Sequence, residues 1–237
     1  MYQPAGGLVD TAFLPSRDVG FIPLSYRQPT HWPIHGWRAA VKRTMDISIA
    51  LILLAAFAVL LLATMLLIRL ETPGRALFCQ RRVGFANVGF DMWKLRTMYQ
   101  QAAPEQSRLV QATRDDPRVT PLGRWLRRTS FDELPQLFNV LRGDMSLVGP
   151  RPHALGTCVG DKPFEMVTPH YFARHRVRPG ITGLAQVRGL RGETETEQKL
   201  LQRIAADLEY IEHWSLWLDL KILLRTIAAL FSAQNAY

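Results

Sequence analysis

At 237 residues the chain has room for one large domain, or for one domain with a membrane element. It carries 29 Lys+Arg against 20 Asp+Glu, a formal charge of +9 that suits an anionic membrane face, nucleic acid or a phosphorylated substrate alike. Only two cysteines, Cys79 and Cys158, occur, which excludes a disulfide framework and favours a reducing, cytosolic setting.

Residues 1–36 hold Pro4, Pro15, Pro23, Pro29 and Pro33 without a sustained period and read as an irregular arm. The stretch Ile47–Ile68 then runs 22 residues with no charge, Gly or Pro. As a helix it would be about 33 Å long, enough to cross a hydrocarbon core. Its Leu, Ile, Phe and Val residues favour insertion by about 4–8 kcal/mol. Apolar residues cover every face, which argues for lipid over a buried core helix. The 45 or so preceding residues argue against a signal peptide. Arg38, Lys42 and Arg43 precede the stretch; Arg69, Arg75, Arg81 and Arg82 follow it. Both flanks therefore qualify as cytoplasmic. A helix that dips in and returns satisfies this, and so does a span with an imperfect charge bias.

Leu77–Met98 reads as two strands around a turn at Gly84–Gly89, with Lys94 and Arg96 on one side of the second strand and Trp93 and Leu95 on the other. Such a cationic face could hold an anion or simply meet water. Arg114-Asp-Asp-Pro-Arg118 is loop-like; its aspartates read as turn residues ahead of metal ligands. Thr120-Pro121 is a helix start, with Thr as N-cap. From Glu193 to His213 the apolar positions Leu200, Ile204, Leu208 and Ile211 mark an amphipathic helix. Trp214-Ser-Leu-Trp217 leads into Leu218–Phe231, which suits either a membrane interface or a buried helix.

Two segments carry chemistry. Ser130-Phe-Asp-Glu133 has the form of a capping box, in which Ser130 caps, Glu133 reaches back and Asp132 complements the helix dipole. A helix start is also an anion site. Adjacent helical side chains diverge by about 100°, so Asp132 and Glu133 suit different jobs: one attacking phosphorus, the other holding a divalent cation. Gly149-Pro-Arg-Pro152 fixes Arg151 between two prolines, which suits forked phosphate binding. Six histidines lack zinc spacing, and no Walker A or GxGxxG loop occurs.

In this order, Trp93-Lys-Leu-Arg-Thr-Met98, Asp116-Pro-Arg-Val-Thr-Pro-Leu-Gly123, Asp132-Glu-Leu-Pro-Gln136, Gly143-Asp-Met-Ser-Leu-Val-Gly-Pro-Arg-Pro152 and Arg178-Pro-Gly-Ile-Thr-Gly183 resemble the bacterial polyprenyl glycosylphosphotransferases, the monotopic phosphoglycosyl transferase superfamily. The resemblance runs from Lys42 to about Thr226. It implies an α+β, mostly helical fold: a membrane-inserted, re-entrant helix over 37–70 and a cytosolic catalytic domain over 71–237 with a C-terminal interfacial helix. It implies transfer of a sugar 1-phosphate from a UDP-sugar to undecaprenyl phosphate, with release of UMP, at the cytoplasmic face of the bacterial inner membrane. Asp132 would be the nucleophile and Glu133 the Mg²⁺ ligand. Arg151 would contact phosphate, with Lys94, Arg96 and Arg178 as further phosphate-binding candidates.

Pro152-His-Ala154, Gly189-Leu-Arg-Gly-Glu-Thr194 and Asp207–Asp219 are similar to the glucose-1-phosphate transferases of exopolysaccharide synthesis, which makes UDP-glucose the expected donor and UDP-galactose the runner-up. Membrane lipids are expected partners, nucleic acid is not, and homo-oligomerisation stays open. Two positions depart from the pattern: Ala58-Val59 stands where a Ser-Pro pair usually breaks the membrane helix, and Leu184 where many members have Trp. The rival readings are a basic, membrane-tethered nucleic-acid binder and a silent assembly scaffold. The dispersed cations speak against the first, and the intact dyad against the second.

Overall fold

The computed structural model describes residues 34–99, 116–154, 156–192 and 194–231. The arm is thus outside the described residues as far as position 33, as are Arg114 and Asp115. Mostly helical, the chain opens with α1 (Gly36–Glu71), followed by a hairpin of β1 (Leu77–Val83) and β2 (Gly89–Leu95). Next come α2 (Pro121–Thr129), a 3₁₀ turn (Phe131–Glu133), α3 (Gln136–Arg142) and β3 (Ser146–Val148). A small hairpin of β4 (Cys158–Val159) and β5 (Lys162–Pro163) leads into α4 (Phe164–Val167) and a second 3₁₀ stretch (Tyr171–Arg176). The described chain closes with β6 (Gly180–Thr182), α5 (Leu184–Val187), α6 (Glu197–Glu212) and α7 (Leu216–Phe231).

The helix expected over 37–70 is a single element of 36 residues, about 54 Å long. It runs unbroken through Ala58 and Val59, so the hairpin expected of a re-entrant helix is not formed. Without Pro no carbonyl loses its partner there, and the helix has no reason to bend. One stripe of it is packed: Lys42, Asp46 and Ala50, then Phe57 edge-on to Phe131, then Leu61, Thr64 and Ile68. These positions recur at steps of three, four or seven residues, the spacing of one helix face. The N-terminal half of the stripe meets α3, β3 and α7; the C-terminal half joins Ala76, Leu95 and Leu126. Leu51, Ile52, Val59, Leu62, Leu66 and Leu67 on the other faces are exposed. An apolar surface of that extent needs a non-aqueous partner.

The expected strands over Leu77–Met98 form an antiparallel hairpin, Leu77 opposite Leu95 and Val83 opposite Gly89. Thr120 caps α2 by accepting from the Gly123 amide at 2.9 Å. Gly123 must be Gly, because a Cβ there would lie 2.2 Å from the Thr97 carbonyl oxygen. The Asp116–Gly123 motif is thereby locked onto the end of β2. The amphipathic helix begins at Glu197, four residues later than its pattern suggested, because Thr196 caps it by accepting from the Lys199 amide. Leu200, Ile204 and Ile211 are buried as expected. The C-terminal helix, α7, is buried along one face and open along another: Asp219 and Ile222 are buried, while Trp217 and Leu224 are exposed.

β3 and β6 pair in parallel, Ser146 opposite Gly180 and Val148 opposite Thr182. This joins two of the sequence motifs. The Gly149 amide donates to the Thr182 carbonyl and the Gly180 amide to the Pro150 carbonyl, each at 2.9 Å. A Cβ on Gly180 would come within 2.1 Å of the Gly149 nitrogen. Arg178-Pro-Gly-Ile-Thr-Gly183 is therefore the backbone buttress of Gly149-Pro-Arg-Pro152.

Candidate active site

Three elements converge on the acidic pair. The 3₁₀ turn after α2 supplies Asp132 and Glu133, β2 supplies Lys94, and the loop after β3 supplies Arg151. Lys94 Nζ lies 2.8 Å from Glu133 Oε1 and 3.7 Å from Asp132 Oδ2. Arg151 meets Glu133 with its whole fork: Nη1 donates to Oε2 at 3.1 Å and Nη2 donates to Oε1. The Arg151 backbone oxygen accepts from Arg174 Nη2 at 2.6 Å, and its Nη1 also faces the Ile181 carbonyl. Arg174 is in turn fixed by Asp207, 3.0 Å from its Nε and 2.7 Å from its Nη2.

The capping box does not form. Ser130 ends α2 in the left-handed conformation, φ 57°, and its side chain caps nothing. Glu133 turns instead to Lys94 and Arg151. Both carboxylates nevertheless come within 4 Å of one ammonium group, closer in function than their angular separation on a helix suggested. Two further candidates lie apart from the dyad. Arg96, just past the end of β2, donates to the carbonyls of Ile68, Thr72 and Pro73 at the C-terminal end of α1. Thr72 and Pro73 lie just past the last turn of α1, and the Ile68 carbonyl already accepts from the Thr72 amide, so Arg96 serves as a structural clamp on the end of the helix. Arg178 is exposed and lies beside Arg43, with no bond to the dyad. Asp116 holds its neighbour Arg118, 2.5 Å from Oδ2 to Nη2, which makes it the turn residue expected.

The two carboxyls have opposite electrostatics. Asp132 is only 7 % exposed, and burial raises its pKa against the pull of Lys94; the Glu133 charge adds to the rise. Burial would raise Glu133 too, but the charges and hydrogen bonds of Arg151 and Lys94 outweigh it and hold Glu133 below the usual carboxylate range. The Arg151 side chain is 40 % exposed, so water screens part of that pull. Glu133 is therefore firmly ionised and fully engaged, whereas Asp132 is buried, basic for its kind and loosely held.

Sequence reading missed the cations behind this pair. Arg82 donates to the Pro152 carbonyl at 3.1 Å, and burial together with the Arg151 charge lowers its pKa to about 10. Burial first and then Arg151 also lower Arg191, and lower Arg203 to about 10. None of the three forms an ion pair with a described carboxylate. Nothing in their local sequence marks them, since the fold alone gathers positions 82, 151, 191 and 203. Asn139 is a second omission: it accepts from the Trp93 amide at 3.0 Å and donates to the Asp91 carbonyl at 2.7 Å, tying α3 to β2 beside the dyad.

A carboxylate pair set among an excess of cations thus lies on a domain packed along one stripe of a long apolar helix. The chain belongs to the bacterial sugar transferase family, whose model matches residues 37–233. It is 55 % identical over 197 residues to the UDP-glucose:undecaprenyl-phosphate glucose-1-phosphate transferase of Caulobacter vibrioides, covering 83 % of this chain and 72 % of that protein. It is 48 % identical over 217 residues to the undecaprenyl-phosphate glucose phosphotransferase of Komagataeibacter xylinus, covering 92 % of this chain but 41 % of the relative. A UDP-N-acetylgalactosamine-undecaprenyl-phosphate N-acetylgalactosaminephosphotransferase of Aeromonas hydrophila is 44 % identical over 198 residues, covering 84 % of this chain and 45 % of its own length. The chain thus spans less than half of the latter two relatives.

Proposed function

We propose that this protein transfers glucose 1-phosphate from UDP-glucose to undecaprenyl phosphate, releasing UMP, as the first membrane step of exopolysaccharide synthesis. The observation that carries the reading is the unequal engagement of the dyad: Glu133 is bound by Lys94 and Arg151, while Asp132 has, among the described residues, only a 3.7 Å ion-pair contact and is left to react. An Asp132 carboxylate oxygen attacks the phosphorus that bears the sugar. The bond from that phosphorus to the bridging oxygen breaks, and the oxygen leaves with UMP. The resulting aspartyl phosphosugar is attacked at the same phosphorus by a phosphate oxygen of the lipid acceptor. Asp132 is expelled as its carboxylate and a lipid diphosphosugar forms. Lys94 and Arg151 orient the diphosphate and offset its charge.

The donor set fits Mg²⁺, which takes hard oxygen ligands and is usually held by one or two carboxylates together with substrate phosphates. Glu133, ionised and beside Asp132, would hold it by exchanging a contact with Lys94 or Arg151, which together engage both of its oxygens. When bound, the ion supplies charge neutralisation for the diphosphate.

Both ends of α1 belong on the cytoplasmic face in this reading. Support comes from the packed stripe, since Lys42 near one end and Ile68 near the other rest on the same domain. A straight helix lying along the domain in the interface achieves what a hairpin would otherwise do. Cysteine labelling of intact cells tests it, once the exposed Cys79 and Cys158 have been replaced. Labelling of a residue 34–36 cysteine from outside would mean a true span.

The Aeromonas relative favours a second reading in which the donor carries another sugar, UDP-galactose or an N-acetylated one. UMP release across a panel of UDP-sugars, with undecaprenyl phosphate as acceptor, decides. UDP-glucose is expected to turn over fastest.

A further inference from the structure

We propose that the cleft between α6 and α7 binds the phosphate of an anionic phospholipid head group, at a site separate from the dyad. The cleft has a volume of 340 Å³. Buried Leu184 and Ile222 form its floor, and Trp217, Lys221 and Arg225 of α7 form one wall. Arg188 and Glu209, also lining it, neutralise each other through two bonds of 2.5 and 2.6 Å. His213 faces the Glu209 backbone oxygen at 3.1 Å. The cleft's uncompensated charge therefore belongs to Lys221 and Arg225, one turn apart and without an ion pair among the described residues. Lys221 Nζ stands 5.4 Å from the centre of the Trp217 ring, so the cation is backed by an aromatic face.

Beside these cations runs an exposed apolar stripe. Trp217, Leu220, Leu224 and Ile227 follow at spacings of three, four and three, and each is at least 40 % exposed. The opposite face of α7 is fixed in the core by Asp219 and Ile222, so the stripe cannot turn inward. An apolar stripe alone would suit protein or lipid. The flanking cations and the tryptophan at the rim choose an anionic lipid surface, which offers acyl chains to the stripe and phosphates to Lys221 and Arg225. The Lys42–Asp219 pair ties α7 to α1, whose apolar faces already bring the chain to lipid. No residue lining the cleft bonds to Asp132, Glu133, Lys94 or Arg151, which sets the cleft apart from the dyad's own contacts.

Thermal unfolding of the full chain in neutral detergent tests this, with phosphatidylglycerol, phosphatidylcholine, undecaprenyl phosphate or inorganic phosphate added. Phosphatidylglycerol should raise Tm in a saturable way, while phosphatidylcholine and inorganic phosphate should not. Lys221→Gln with Arg225→Gln should leave the detergent-only Tm unchanged. It should raise the phosphatidylglycerol needed for half the effect by about five-fold per charge removed. A control removing two distant cations, Arg81→Gln with Lys162→Gln, should respond like the parent. The proposal is overturned if the double variant responds normally or if the control is equally impaired. It is also overturned if inorganic phosphate stabilises as well as the lipid does, or if only undecaprenyl phosphate acts.

Discussion

Lys42 Nζ lies 2.7 Å from Asp219 Oδ2, a pair 177 positions apart in the chain in which Asp219 is completely buried. Asp219 also accepts from Tyr210 Oη at 2.8 Å and from Trp214 Nε1 at 3.1 Å, while Lys42 reaches the Val148 carbonyl. One buried carboxylate thus fastens the long apolar α1 to α6, α7 and the strand that leads to Arg151. Removing one partner strands the other charge in the core, so Lys42→Ala or Asp219→Ala should each cost about 3–5 kcal/mol. Lys42→Met with Asp219→Leu should recover much of that loss. Unfolding in detergent checks it; a double variant worse than either single one would contradict a simple buried pair.

Arg151 and Arg96 should behave oppositely when each is changed to Lys. Arg151→Lys keeps the charge but loses the fork on Glu133 and should reduce kcat/KM by about ten- to a hundred-fold, with Tm nearly unchanged. Arg96→Lys loses most of its contacts to the end of α1 and should lower Tm while sparing turnover of the folded fraction. Steady-state kinetics beside melting curves separates the two. Near-normal turnover by Arg151→Lys would reduce that residue to a source of positive field.

The dyad sets a pH dependence. Burial raises the Asp132 pKa and Lys94 opposes that rise. Below its raised pKa Asp132 is protonated and cannot attack, so kcat/KM falls as pH drops through a value above the usual 3.9 or so for Asp. Glu133, held low, stays ionised throughout that window. Lys94→Met removes the lowering charge and should move the acid limb to higher pH, whatever it does to the maximum rate. A limb that stays in place would mean that another group controls it.

Much of this was legible in the sequence, for local reasons. The hairpin over Leu77–Met98, the Thr120 cap and the buried face of α6 follow from alternation, capping chemistry and helical period. The sequence motifs contain Asp132, Glu133 and Arg151, which the fold brings together with Lys94. What failed depended on neighbours remote in sequence. Ser130 could cap in principle, yet Lys94 and Arg151, 39 and 18 positions from Glu133, compete successfully for the Glu133 carboxylate. Arg96 has the right spacing to join Lys94, but β2 ends at Leu95 and the carbonyls at and just past the end of α1 claim the guanidinium. The stripe along α1 was hidden because the exposed sides of the helix are as apolar as its packed one.

The covalent role of Asp132 is tested most directly by single turnover without acceptor. Labelled UDP-glucose and Mg²⁺ are mixed with the full chain in detergent, UMP is quantified, and intact and peptide masses are measured. Up to one equivalent of UMP should appear before any undecaprenyl phosphate is added. A hexose phosphate should be found on the peptide containing Asp132, and later addition of the lipid should remove it. Asp132→Asn, folded by its Tm, should give neither UMP nor adduct. UMP that forms only once the lipid acceptor is present, or a folded Asp132→Asn protein that turns over substantially, would contradict the two-step transfer.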